Sequence, residues 1–142
     1  MIDTPAIVVK QFLINEALVS DPDAVMDWPI FLQHIVDVDR EDVCAIYDID
    51  PLKDGRIMRT GEVCLHYALQ VKVRSKEYQV GWLKDDELQK SLCAVHNEDL
   101  TIELREWRLH NLTKTSAGFV GIDTVRRNIF VANYLLAMTR LN

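Results

Sequence analysis

Glycine and proline are scarce in this chain, five and four among 142 residues. So few breakers leave little room for linkers or low-complexity tracts, and no internal repeat is visible. Cysteine is sparse too. Cys44, Cys64 and Cys93 are an odd number, far apart and set among apolar neighbours, which reads as buried reduced thiols and not as a disulfide framework. The longest apolar run, residues 129–138, is interrupted by Asn133 and is too short to span a bilayer. No basic region followed by an apolar stretch and a small-residue cleavage site opens the chain, so no secretory signal is expected. The expected setting is intracellular, or assembly inside a cell.

An excess of positive charge is also missing. Sixteen basic side chains stand against 22 acidic ones, a net charge of −6, which argues against tight, sequence-independent binding to nucleic acid. The charge is uneven: residues 1–54 hold 3 basic and 12 acidic side chains (−9), residues 55–142 hold 13 and 10 (+3). One reading is scatter over solvated faces. The other is a subunit with an acidic and a basic pole, suited to meeting copies of itself or a neighbour. With 49% hydrophobic and 27% charged residues, the chain has the composition of one folded domain with a real core.

Chemical signatures are thin. The acidic cluster Asp37, Asp39, Glu41, Asp42 resembles a calcium loop only superficially, because its sixth position is Asp42 and its twelfth Asp48, where glycine and glutamate are needed. His34, His66, His96 and His110 have no partner at zinc spacing. Ser20, Ser75, Ser91 and Ser116 lack glycine flanks, Cys93 falls on the apolar side of a helix, and residues 55–62 lack the Lys-Ser/Thr of a phosphate loop. No metal, cofactor or catalytic group is therefore expected. The enzymatic alternative is a small metal-dependent hydrolase using Asp48, Asp50 and Asp54.

Periodicity supplies the fold. Thr4-Pro5 opens an amphipathic helix that Asp21-Pro22 stops. Strands are expected over residues 30–36, 43–49 and 67–74, then a helix over residues 76–95, then long strands over residues 100–113 and 124–139. Tyr67, Leu69, Val71 and Val73 share one face of the third strand, and Gln70, Lys72 and Arg74 the other. Ser75 is the expected cap of the second helix, whose apolar stripe is Tyr78, Trp82, Leu88, Leu92 and Val95. Ile102 and Leu104 lie on one parity, Trp107 and Leu109 on the other, which suggests a bulge or sharp twist within one strand. The predicted fold is α+β: one mixed, largely antiparallel sheet flanked by two main helices, in the order α-β-β-β-α-β-β.

Two segments stand out as interface candidates. Residues 50–62 form a long excursion between strands carrying Lys53, Arg56, Ile57, Met58 and Arg59, read either as a flexible loop or as an arm that orders against a neighbour. Arg126 and Arg127 lead into a last strand, with Phe130, that is apolar on both faces and so is central or covered by another chain.

The ordered set WPIFLQHI, VCAIYDIDP, GRIMRTGE, HYALQVKVRSKEYQVGW and RRNIFVANY resembles the phage tail terminator family, also called phage minor capsid proteins. The matching positions are Gln70, Val71, Lys72, Val73 and Arg74, with Lys72 where arginine is commoner, then Tyr78 and Trp82, and finally residues 126–133. The resemblance covers most of the chain as a single tail-terminator-like domain over residues 1–142. It implies a structural, non-enzymatic virion protein. Six copies would form a ring that caps the tail tube, ends its polymerisation and joins it to the head connector. Partners would be other copies, the tail tube protein and a head-completion protein, with DNA passing through the lumen unbound and no membrane involved. The place would be the tail neck, after assembly in the host cytoplasm. A subunit could then present its acidic part to the basic part of the next, and an acidic lumen would let DNA slide. A third possibility is an adaptor binding one partner along the last strand.

Overall fold

The structure, a computed structural model, describes residues 3–23, 27–32, 41–49 and 65–141. Its elements are α1 (Pro5–Asn15), β1 (Ile30–Leu32), β2 (Val43–Ile49), β3 (Leu65–Ser75), α2 (Tyr78–Cys93), β4 (His96–Ile102), β5 (Arg105–Ile122) and β6 (Asn128–Arg140). The strands make one mixed sheet in the spatial order β1-β2-β3-β6-β5-β4. β1 runs parallel to β2, and all other neighbours are antiparallel. The sheet curls into a half-barrel with both helices on its inner face, where α1 meets β1, β2, β3 and β4, and α2 meets β3, β5 and β6.

The expected order α-β-β-β-α-β-β is corrected by this arrangement. There are six strands, not five, and the helices share one face. The parity change expected as a bulge is a two-residue turn, Glu103-Leu104, between β4 and β5. Glu103 sits there at φ +55, a left-handed backbone usually taken by glycine or asparagine, so the turn carries no residue signal. The bulges lie further on. β5 skips a residue against β6 at His110, Thr115 and Val120. Its inward residues therefore advance by alternate steps of two and three: Trp107, Leu109, Leu112, Lys114, Ala117, Phe119, Ile122. A bulge bends and twists its strand, and three in one strand account for the curl. Residues 114–123, which contain Gly118 and Gly121 and fall between the expected strands, belong mostly to β5. At Gly121, φ is +150, so the last skip falls where glycine permits it.

β3 obeys its alternation. Leu69, Val71 and Val73 are buried against Tyr134, Ala132 and Phe130 of β6, while Gln70 and Lys72 face outward. Thr4 caps α1, its Oγ1 accepting from the Ile7 N–H at 3.4 Å, with Pro5 following. Asp48 Oδ1 on β2 accepts from the Ala6 N–H at 2.9 Å, fixing the helix start to the sheet. The helix ends at Asn15, well before Pro22. Ala17 turns left-handed at φ 58, and its N–H and that of Leu18 donate back to the carbonyls of Ile14 and Leu13, closing a Schellman motif without glycine.

α2 also departs from expectation. Ser75 ends β3 and does not cap the helix. Its hydroxyl donates to Asp42 Oδ1 at 2.6 Å and accepts from the Glu77 N–H at 3.3 Å, while Glu77 occupies the cap position. The buried face of α2 is Gly81, Lys84, Asp85, Leu88 and Leu92. Leu88 and Leu92, each contributing about 1.5–3 kcal/mol by burial, anchor the helix. Tyr78 and Trp82 therefore point outward and are not part of the core stripe. Gly81 lets the helix approach β6 closely, because a Cβ there would lie 2.8 Å from Phe130 Cε2 and 3.0 Å from Ser75 Cβ.

Cys44 is buried, and burial pushes its thiol up to about 12. Cys93 is exposed, against the expectation of burial, and Cys64 lies outside the described residues. Among the described residues no helix is long and apolar enough to cross a membrane.

Candidate interface surface

The outward face of α2 and the far end of the β5–β6 hairpin both carry exposed apolar side chains, and they meet at Tyr78 and Phe119. Tyr78, Trp82 and Leu83 of α2 and Phe119, Val120, Ile122 and Val125 of the hairpin are each 45–67% exposed. They are joined by rings. Tyr78 meets Phe119 edge-on at 5.3 Å between centroids, and both rest on the buried ring of Phe130 at 5.4 Å. The helix supplies the rest by spacing, since residues three and four apart share a face.

Side chains of this kind cover about 150–250 Å² each when aromatic and less when aliphatic. The exposed share of these seven side chains adds up to on the order of 700 Å². A standard protein interface takes about 800 Å² from each partner.

Between α2 and the hairpin the surface dips into a groove of about 290 Å³, lined by Tyr78, Trp82, Asp85, Asp86, Gln89, Lys114 and Phe119 among others. A polar chain crosses it. Lys114 Nζ donates to Gln89 Oε1 at 3.0 Å, and Gln89 Nε2 donates to Asp85 Oδ2 at 2.6 Å. Asp85 is nearly buried, and desolvation raises its carboxyl above the usual range. Asp86, further out, pairs with Lys90 at 2.8 Å. Tyr134 is buried in β6 and its hydroxyl has no hydrogen-bond partner among the described residues. Burial raises its phenol as well.

The hairpin end is tied together by Asp123. Asp123 Oδ1 accepts from the N–H groups of Val125 and Arg127, and Oδ2 from Arg127 Nε at 2.8 Å. Burial pushes the Asp123 carboxyl up, but these donors outweigh it and hold the group below its usual range.

Of the interface candidates read from sequence, Lys53, Arg56, Ile57, Met58 and Arg59 lie outside the described residues. Arg126 and Arg127 separate in the structure. Arg126 is exposed at the hairpin tip, whereas Arg127 is spent on Asp123 with its side chain only 12% exposed. Phe130 is buried beneath Tyr78 and Phe119 and offers no face to a partner. The QVKVR strand also divides by face. Val71 and Val73 are core, Lys72 and the nearly buried Arg74 lie on the outer face, and Gln70 starts an outer ladder. Gln70 Nε2 donates to Asn133 Oδ1 at 3.0 Å, and Asn133 Nδ2 donates to Ser116 Oγ at 2.8 Å. Tyr78 and Trp82 do come together on the surface. Phe119, Val120 and Ile122 fall between the expected strands and Val125 at the start of the expected strand 124–139, and none was read as an interface residue; the apolar pair at Phe119-Val120 was the available signal.

The hydrolase alternative rests mostly on residues outside the described ones. Asp48 accepts through Oδ1 from the start of α1, Asp50 and Asp54 lie outside the described residues, and no group of three His, Cys, Asp or Glu able to hold a metal occurs among the described ones. His110 is engaged with Thr139 Oγ1 at 2.7 Å and Asn97 Oδ1 at 3.2 Å.

The chain matches no protein-family model and no curated protein.

Proposed function

We propose that this chain is a structural subunit that acts by binding copies of itself, of the phage tail terminator kind that its sequence resembles. Copies meet head to tail and close a ring, six in the family it resembles, that caps the tail tube and presents a docking face to the head connector. No bond is made or broken. The observation that carries this reading is the apolar surface of Tyr78, Trp82, Leu83 and the hairpin end, whose area approaches that of one side of a standard interface. The hydrogen bonds of Asp123 across the hairpin turn add support, because a turn ordered before binding loses little entropy on association.

The test is to produce tails with and without the chain and to image them. Tubes of uniform length ending in a ring, and tubes of uncontrolled length when the chain is absent, are expected. Tubes whose length and head joining do not depend on the chain would overturn the proposal.

A further inference from the structure

The groove between α2 and the hairpin holds an acid without a base. Asp85 lines it and is only 6% exposed. Its Oδ2 accepts from Gln89 Nε2 at 2.6 Å, while its Oδ1 accepts from no described residue. No described cation is bonded to it either. Lys114, on the same groove, donates to Gln89 Oε1 at 3.0 Å, so that ammonium reaches the carboxylate only through an amide. Lys84 lies over the Trp28 ring at 5.5 Å and beside Glu87 at 3.7 Å. Lys90 pairs with Asp86 at 2.8 Å. Of the two groove carboxylates, Asp85 is therefore the one left without a counter-ion among the described residues.

Burying an ionised carboxylate without a paired cation opposes folding. Desolvation accordingly raises the Asp85 carboxyl, and a desolvated acid in a cleft is a mark of a binding site. The walls define what would suit it. The rings of Tyr78, Trp82 and Phe119, each about half exposed, line the groove above the buried Phe130, and ring faces attract cations. The volume of about 290 Å³ lies at the lower end of small-ligand pockets, which hold about 300–1,000 Å³.

We infer that the α2–hairpin groove binds a small primary amine in its protonated form, the ammonium donating to Asp85 Oδ1 and an aromatic body packing against Tyr78, Trp82 and Phe119. A free carboxylate oxygen calls for an N–H donor, which an ammonium has and a quaternary nitrogen lacks. The site is complete within one chain, so the inference does not rest on the ring reading.

The experiment is isothermal titration calorimetry of the full chain with phenethylamine, its trimethylated ammonium and phenethyl alcohol. Phenethylamine is expected to bind, the trimethylated form more weakly, and the neutral alcohol about tenfold or more weakly. Asp85→Asn keeps an acceptor for Gln89 and should fold at least as well, yet lose about tenfold in amine affinity. Trp82→Ala, at an exposed position, should weaken the amine several-fold. Circular dichroism checks both folds. No binding of phenethylamine at millimolar concentration, equal binding of the alcohol, or full affinity in Asp85→Asn would overturn the site. Tighter binding of Nα-acetyl-lysine methylamide than of phenethylamine would assign the groove to a protein lysine and overturn the small-ligand reading. The tail images decide the ring reading separately.

Discussion

Asp3 and Arg105, 102 positions apart, meet as a bidentate pair in which Nε donates to Oδ2 at 2.6 Å and Nη2 to Oδ1 at 2.8 Å. Trp107 Nε1 adds a third donor at 2.8 Å. The residues just ahead of α1 are thereby tied to the opposite side of the half-barrel, at the β4–β5 turn. The guanidinium of Arg105 and the indole hold the Asp3 carboxyl below its usual range.

Replacing Asp3 by alanine should cost on the order of 2 kcal/mol at neutral pH, since it leaves a nearly buried indole N–H without its acceptor and Arg105 with the exposed Glu103 carboxylate at 3.0 Å. Because the folded carboxyl is more acidic than the unfolded one, its contribution is present above the unfolded value and fades as pH falls through the folded one. Urea denaturation of both chains at neutral and acidic pH checks this. A difference that does not shrink in acid would show that the carboxylate charge is not the cause.

Asp85 works in the opposite direction. Its carboxyl is raised by desolvation, so the charged form destabilises the fold at neutral pH, and this penalty fades as pH falls through the folded value and is gone below the unfolded one. Asp85→Asn keeps an acceptor for Gln89 Nε2 and removes the charge. It should raise stability by a few tenths to about 1 kcal/mol at neutral pH, with the gain vanishing in acid. Denaturation of dilute samples measures this apart from association.

Gly81→Ala sets helix propensity against packing. Alanine favours an open helix by about 1 kcal/mol. The new Cβ would nevertheless press on the buried Phe130 ring and on Ser75, neither free to move. Overpacking of this kind costs about 1–3 kcal/mol, so a net loss of roughly 1 kcal/mol is expected in thermal or chemical unfolding. A stabilised variant would mean that α2 can lift from β6 at little cost.

The two described thiols should differ sharply in reactivity. In a chain carrying Cys64→Ser, a disulfide reagent at mildly alkaline pH should modify one equivalent quickly, at exposed Cys93. Cys44, buried and with its thiol pushed up to about 12, should react only on unfolding. Two fast equivalents would contradict the packing of β2.

Where local chemistry decides structure, the residues announced it. Thr4-Pro5 marked the start of α1, and the alternation of residues 67–74 marked β3 and its buried face. The errors came where tertiary context overrode residue preference. Ala17 and Glu103 take left-handed positions that glycine would normally signal, so the end of α1 and the β4–β5 turn were hidden. Bulged β5 alternates steps of two and three, which no simple period detects. The exposed Tyr78 and Trp82 looked like core because burial on α2 falls instead on Lys84 and Asp85, a choice that hydropathy opposes. The surface was half legible: Tyr78 and Trp82 were named for their pattern, whereas Leu83 and the hairpin residues follow no period that singles them out.

The repeated skips in β5 bear on how the protein behaves when crowded. β4 pairs with β5 only as far as His96 opposite Asn111, so residues 112–122 have β6 on one side and no strand beyond them among the described residues. A long bare margin of that sort invites strangers to zip alongside and seed fibrils. With its spacing broken at Thr115 and again at Val120, such a margin gives an incoming strand only a few rungs before the match fails. Such an edge exposes backbone without letting a wrong assembly grow.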